Sequence, residues 1–212
     1  MAHGDDEGIL NILQHQIVAV LLFFSIWTPI FTYPSALAWH VALCSLGLFP
    51  FVFEGLAVLG YDLIYAIELE EKTRGYIHAV MMSLGTIFLA AGAIMEMARD
   101  RLTSHFSSTH GILGLICLLF VLFAFIFGFF SRFAKSLKGY ARPVIFHFVH
   151  NLIGILAVTF GIACMCTGYY LDAFIALEDS KMAATIVACL LLPWALATAL
   201  HKLYKQFMSM IQ

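Results

Sequence analysis

Apolar residues in this chain do not recur at the spacing of a single helix face. They fill whole runs, divided by short polar stretches. A run of about 20 apolar residues crosses the hydrocarbon core of a bilayer as an α-helix. Six runs qualify: Gln16–Tyr33, Ala38–Leu59, Tyr76–Ala98, Thr109–Phe130, Val144–Cys166 and Met182–Leu203. Pro34 and Ser35 mark a turn and a helix cap between the first two. Pro143 stands just ahead of the fifth, in the first-turn position that favours proline. The polar stretches are too short for a domain linker. The pattern therefore predicts one all-α membrane domain over residues 1–212, a six-transmembrane-helix bundle. Spacing alone shows no clear internal repeat.

Composition sharpens this picture. Only 11% of residues are charged, against about a quarter in a soluble domain. Such a chain cannot cover itself with a solvated surface, so lipid is its solvent. A net charge of −2 excludes the basic footprint of a nucleic-acid binder. Cys44, Cys117, Cys164, Cys166 and Cys189 all lie in apolar runs, as small apolar residues rather than a disulfide framework. The N-terminus, MAHGDDEG, is acidic, whereas a cleavable secretory signal begins with basic residues. The first run is therefore read as a retained span.

Six spans put both termini on one side of the membrane. That side carries Lys72, Arg74, Arg132, Lys135, Lys138, Arg142, Lys202 and Lys205. The other carries Arg99, Arg101 and Lys181. Basic residues prefer the cytoplasm, so the expectation is a multi-pass protein with both termini cytoplasmic.

The candidate chemistry lies in the histidines. His3, His15 and His201 sit in a tail or at span ends. Four others fall inside or at the start of consecutive spans, where ionisable residues are costly and usually functional. His40 and His110 open the second and fourth spans on the non-cytoplasmic side. His78 and His150 lie toward the cytoplasmic starts of the third and fifth. The four thus sort into two pairs, each from alternate helices, the way bundles build cofactor sites. Zinc usually needs four ligands, and no carboxylate stands nearby in sequence. A haem iron has four ring nitrogens and needs two axial ligands. Gly47, Gly85, Gly114 and Gly154 lie on the same spans and either make room for a macrocycle or let helices pack closely. His147 and His150 share a helix face, and spacing does not choose between them.

Trp39-His40 with Glu54 fourteen residues on, Tyr76-Ile77-His78, His110-Gly111-Ile112-Leu113-Gly114-Leu115, and His150-Asn151-Leu152-Ile153-Gly154 with Gly168 further on occur in that order on successive spans. Together they resemble the eukaryotic transmembrane cytochrome b561 family, from about Ala38 to Tyr169. The resemblance favours His150 over His147. It implies a four-helix core binding two haem b groups, one held by His40 and His110 and one by His78 and His150. It also implies electron transfer from cytoplasmic ascorbate to ferric iron or monodehydroascorbate, in an endomembrane vesicle or the plasma membrane, with a homodimer compatible. Departures are visible. Val41 and Cys44 stand where the family often has proline and methionine. Ser108-Thr109-His110-Gly111-Ile112 replaces the stretch of the ascorbate-using vesicle members, and Tyr76 stands where a basic residue is expected.

An anionic donor wants a basic site. Lys72, Arg74, Lys138 and Arg142 flank the cytoplasmic haem position, although topology alone also calls for positive charge there. On the opposite side His105, near Arg99 and Arg101, is a candidate for meeting the acceptor. The rival expectation is a six-span transporter without haem, its histidines forming a proton relay.

Overall fold

The structure is a computed structural model that describes residues 3–32, 35–60, 69–99, 106–171 and 181–212. His105 and Pro34 lie outside them. Among the described residues every regular element is helical: α1 (His3–Thr32), α2 (Ala36–Leu46), a π-helical segment (Gly47–Phe53), α3 (Glu54–Gly60), α4 (Glu71–Arg99), α5 (Thr109–Arg132), α6 (Pro143–Gly168) and α7 (Lys181–Ile211). Ala36–Leu59, α4, α5, α6 and α7 are long and apolar enough to cross a membrane, and Gln16–Trp27 within α1 is a shorter apolar stretch. The chain is an all-α, multi-pass membrane protein of about six helices.

The element ends follow from local chemistry. Ser35 caps α2, its Oγ accepting from Ala38 N–H at 3.2 Å, and Ser108 caps α5 through Gly111 N–H at 3.1 Å. A hydroxyl in this position satisfies one of the donors that a helix start leaves without an intrahelical partner. Pro143 occupies the first turn of α6 as expected. Several helices overrun their apolar windows. α4 starts five residues before Tyr76 and α7 runs eight beyond Leu203, because polar residues extend a helix past the hydrocarbon without breaking it. Inside the spans, Ser83, Thr86 and Thr159 donate to the carbonyls of Ala79, Met82 and Ile155, four residues back. Hydroxyls satisfied in this way need no outside partner in an apolar medium. Val80, Ile87 and Ile94, seven residues apart on α4, are 58%, 62% and 60% exposed. Such a stripe suits lipid and would be a liability in water.

The chain divides into two compact units. The first comprises Met1–His105 with Leu171–Val187, the second Phe106–Tyr170 with Ala188–Gln212. In the first, α1 packs on α2, and α2, the π segment and α3 pack on α4. Phe49, Phe53 and Val58 are fully buried there. A Cβ at Gly47 would meet Gly85 O at 2.9 Å, and one at Gly85 would meet Gly47 O at 3.0 Å. These two glycines let the backbones touch, so of the two roles open to them they take helix packing.

In the second unit α5 and α6 pack together, with Phe120 stacked on Phe160 at 5.5 Å. The end of α7 is fastened to the start of α6. Arg142 donates to Ser209 O at 2.8 Å and Met210 O at 3.2 Å, and Asn151 donates to Gln206 Oε1 at 2.9 Å. A guanidinium on the last carbonyls of a helix satisfies acceptors and complements the negative end of its dipole.

Gly47→Ala and Gly85→Ala each press a methyl group into backbone. Each should lower unfolding stability in detergent by about 1–3 kcal/mol. Gly139→Ala, where a Cβ meets nothing within 4 Å, should leave it unchanged. A denaturation series on the three variants checks this.

Candidate functional site

Each unit contains an antiparallel pair of helical stretches, and each pair carries two of the four candidate histidines. In the first, His40 on α2 donates through Nδ1 to Gly92 O of α4 at 2.8 Å. In return, His78 on α4 donates through Nδ1 to Gly55 O of α3 at 2.8 Å. In the second, His110 on α5 donates to Cys164 O of α6 at 2.8 Å, and His150 on α6 donates to Ala124 O of α5 at 3.1 Å. The pattern is reciprocal: each helix gives a histidine at one end and takes one at the other.

The direction of these bonds decides the protonation of the rings. A backbone carbonyl can only accept, so Nδ1 must carry the hydrogen. In the neutral imidazole Nε2 then holds the lone pair, which is the form that ligates a metal. Donation from the other ring nitrogen to a carbonyl is the usual outer support of a metal-bound histidine, fixing its tautomer and orientation and raising its basicity. His147 differs. Its Nδ1 lies 2.6 Å from Ser131 Oγ, and a hydroxyl both donates and accepts, so it leaves the tautomer open. Of the two histidines on this face of α6, His150 has the partner that prepares a ligand.

Register explains how four such bonds arise. In the second unit, fourteen residues separate His110 from Ala124 and fourteen separate His150 from Cys164. Two helices with equal spacings match when they run antiparallel. In the first unit, His78 and Gly92 are fourteen apart, but His40 and Gly55 are fifteen apart. The extra residue falls in a stretch that contains the π segment Gly47–Phe53, with Pro50 inside it. A π turn absorbs one additional residue, so Gly55 is brought back to the face that His40 uses. The two hairpins thus share one plan, a repeat that raw spacing conceals. At 1.5 Å per residue, the two histidine levels within each hairpin lie roughly 20 Å apart.

Glycines make the approach possible in the second unit. A Cβ at Gly168 would stand 3.0 Å from His110 Cε1, and one at Gly128 would stand 3.1 Å from His150 Cε1. Each glycine lies four residues after the carbonyl that its histidine uses, so a bare backbone lets the ring reach past it. Gly168 belongs to the motif singled out in the sequence. Gly128 does not, and its signal was there to be read, since both glycines lie eighteen residues after a ligand candidate. Gly154, one turn after His150, has nothing within 4 Å of a built Cβ, and Gly114 has only Cys164 Sγ at 3.4 Å. The backbone at Gly154 leaves space open one turn from His150, and the donor set fits an axial ligand. Among the described residues no group of three or more His, Cys, Asp or Glu side chains could hold a metal ion. Single imidazoles suit haem iron, whose ring supplies the other four nitrogens.

The basic candidates separate by environment. Arg74, one turn before His78 on the same helix face, is only 4% exposed. Lys72 and Lys138 are exposed. Arg142 is engaged with the end of α7.

The family model described as eukaryotic cytochrome b561 matches residues 39–175, a stretch that contains all four histidines and both glycine positions. No curated protein and no solved structure matches the chain. From the glycine contacts, Gly168→Ala should displace the ring of His110, and Gly128→Ala that of His150. Each should lower the haem bound per molecule of purified protein. Pyridine haemochrome assay against protein concentration measures this.

Proposed function

The chain belongs to the eukaryotic cytochrome b561 family, and from that premise we propose that it carries electrons across the membrane through two haem b groups in series. Membership establishes an oxidoreductase that binds haem b and transfers electrons across a membrane. The proposal adds the number of haems, their ligands and their substrates. One observation carries it: each hairpin holds two histidines in the ligating tautomer, at levels roughly 20 Å apart by helix rise. We assign His40 and His110 to one haem and His78 and His150 to the other.

Bound haem supplies one-electron chemistry between the ferric and ferrous states. The protein's own residues do the rest. The four Nδ1 hydrogen bonds keep Nε2 as the lone-pair nitrogen and stop the rings from turning. The apolar spans would give a bound haem surroundings of low polarity, in which charge interactions are strong.

The proposed donor is cytoplasmic ascorbate, with ferric iron or monodehydroascorbate as acceptor on the other side, both termini being cytoplasmic. Support for the donor is the buried Arg74 guanidinium one turn before His78, with Lys72 in the same turn of α4. A desolvated guanidinium is a strong and geometrically selective partner for an anion. Arg142, whose guanidinium donates to Ser209 O and Met210 O at the end of α7, is proposed as a further positive charge for the donor. His105 is the proposed contact for the acceptor. Vesicles or the plasma membrane would house the protein, and a homodimer is compatible with this arrangement.

An optical difference spectrum before and after ascorbate tests the haem assignment. Wild type should show reduced b-type bands, and His40→Ala and His78→Ala should each lose about half of them, matching one haem per histidine pair. Colourless wild type expressed with ample haem, together with proton-driven flux, would instead support the relay transporter. The donor is tested separately. Arg74→Gln should slow reduction by ascorbate roughly tenfold while leaving reduction by dithionite unchanged. Equal slowing with both reductants would rule out an anion-binding role.

A further inference from the structure

We infer that Cys44 and Cys164 are positioning residues whose thiols set the reduction potential of one haem, the one assigned above to His40 and His110. This rests on the two-haem reading and goes beyond it.

The observation is a matched pair of sulfur contacts in two separate hairpins. Cys44 Sγ lies 3.7 Å from His40 Nδ1. Cys164 Sγ lies 3.5 Å from His110 Nδ1 and also donates to His110 O at 3.5 Å. Each thiol is seated against a glycine of the facing helix. A Cβ at Gly92 would meet Cys44 Sγ at 2.7 Å, and one at Gly114 would meet Cys164 Sγ at 3.4 Å. In each hairpin a cysteine therefore lies between a candidate ligand ring and a glycine.

The shared register gives an internal comparison. Cys44 is four residues after His40 on its own helix. The same step from His78 reaches Met82, whose Cε packs 3.3 Å from a Cβ built at Gly55. Cys164 is the residue whose carbonyl receives His110. Its counterpart at the other end, the residue whose carbonyl receives His150, is Ala124. Within the first hairpin, then, the thiol beside His40 corresponds to a thioether beside His78, and within the second the thiol beside His110 corresponds to a methyl group beside His150. The hairpin plan is the same at both ends, and the sulfur chemistry is not.

Each Nδ1–H beside a thiol points at a carbonyl 2.8 Å away and has a second, softer acceptor at its flank. Shared N–H donation of this kind is common, and cysteine sulfur is a weak acceptor. More electron density drawn toward the Nδ1 proton makes Nε2 more basic. A more basic axial ligand favours ferric over ferrous iron, so the thiols lower the potential of that haem. Two thiols acting on two ligands of one iron act in the same direction.

The test is a potentiometric titration of the purified full chain, followed optically, with low-spin ferric signals read by electron paramagnetic resonance. The component missing from His40→Ala identifies the haem in question. In Cys44→Ala and in Cys164→Ala that component should titrate at a higher potential and its resonance should move, with the larger shift in the double variant. The other component should stay where it is. Cys44→Ser and Cys164→Ser keep an acceptor beside the ring and should not raise the potential as the alanine variants do, which also covers a failure of Cys164→Ala to fold. Ala124→Cys should lower the other component instead. Cys117→Ala, which removes a buried thiol bonded to Ala157 O, should move neither. Two haem components that both stay unshifted in the cysteine variants, or that shift together, would overturn the inference while leaving the two-haem reading intact. Absence of b-type bands in the wild type would overturn both.

Discussion

A hydrogen bond from an imidazole Nδ1 to a backbone carbonyl on the neighbouring helix is the interaction on which the site depends. It occurs four times, at 2.8 to 3.1 Å. The carbonyl of a helix interior already serves its own ladder, but it has a second lone pair. A histidine can therefore use it without breaking the helix that presents it. In lipid this matters twice. An unsatisfied polar group there is expensive, so the bond makes the histidine tolerable. The same bond also selects the tautomer, so the solution to the solvation problem is at once the preparation of a ligand.

Distance then becomes the governing variable. For the bond to form at both ends of a hairpin, the two helices must present histidine and carbonyl at matching intervals on matching faces. α5 and α6 do this with equal spacings of fourteen. In the first unit the intervals differ by one, and the π segment around Pro50 restores the phase. Proline removes a ladder donor and crowds the preceding turn, so a wider turn at this place relieves a local strain and a long-range mismatch together. Glycines supply the remaining tolerance: Gly47 against Gly85 between backbones, Gly128 and Gly168 beneath the rings.

Much of this was legible in the amino-acid sequence, and the rest was hidden for identifiable reasons. Hydropathy reports how much chain can lie in lipid, so the spans were found and their polar overruns, such as Glu71–Gly75 of α4, were not. A histidine in an apolar run announces itself by its cost, which is why His40, His78, His110 and His150 stood out. What each ring touches is a tertiary fact. Nothing in the local sequence of Ala124 or Gly92 says that its carbonyl will accept an imidazole. The repeat was hidden by one extra residue, since a comparison of intervals fails when a π turn shifts the register. Arg74 looked like any charge that sets topology until its burial distinguished it from Lys72, two residues away.

The reciprocal bonding within each hairpin bears on how the protein is made. Both partners of every histidine bond lie in two helical stretches that follow one another in the chain. Their polar rings can thus be shielded as soon as that pair meets during membrane insertion, before the rest of the polypeptide has been synthesised. A nascent hairpin can thus enter the bilayer with its imidazoles already bonded and oriented. The rotational freedom of these side chains is then given up at hairpin formation, and that entropy is not left to be lost at a later step.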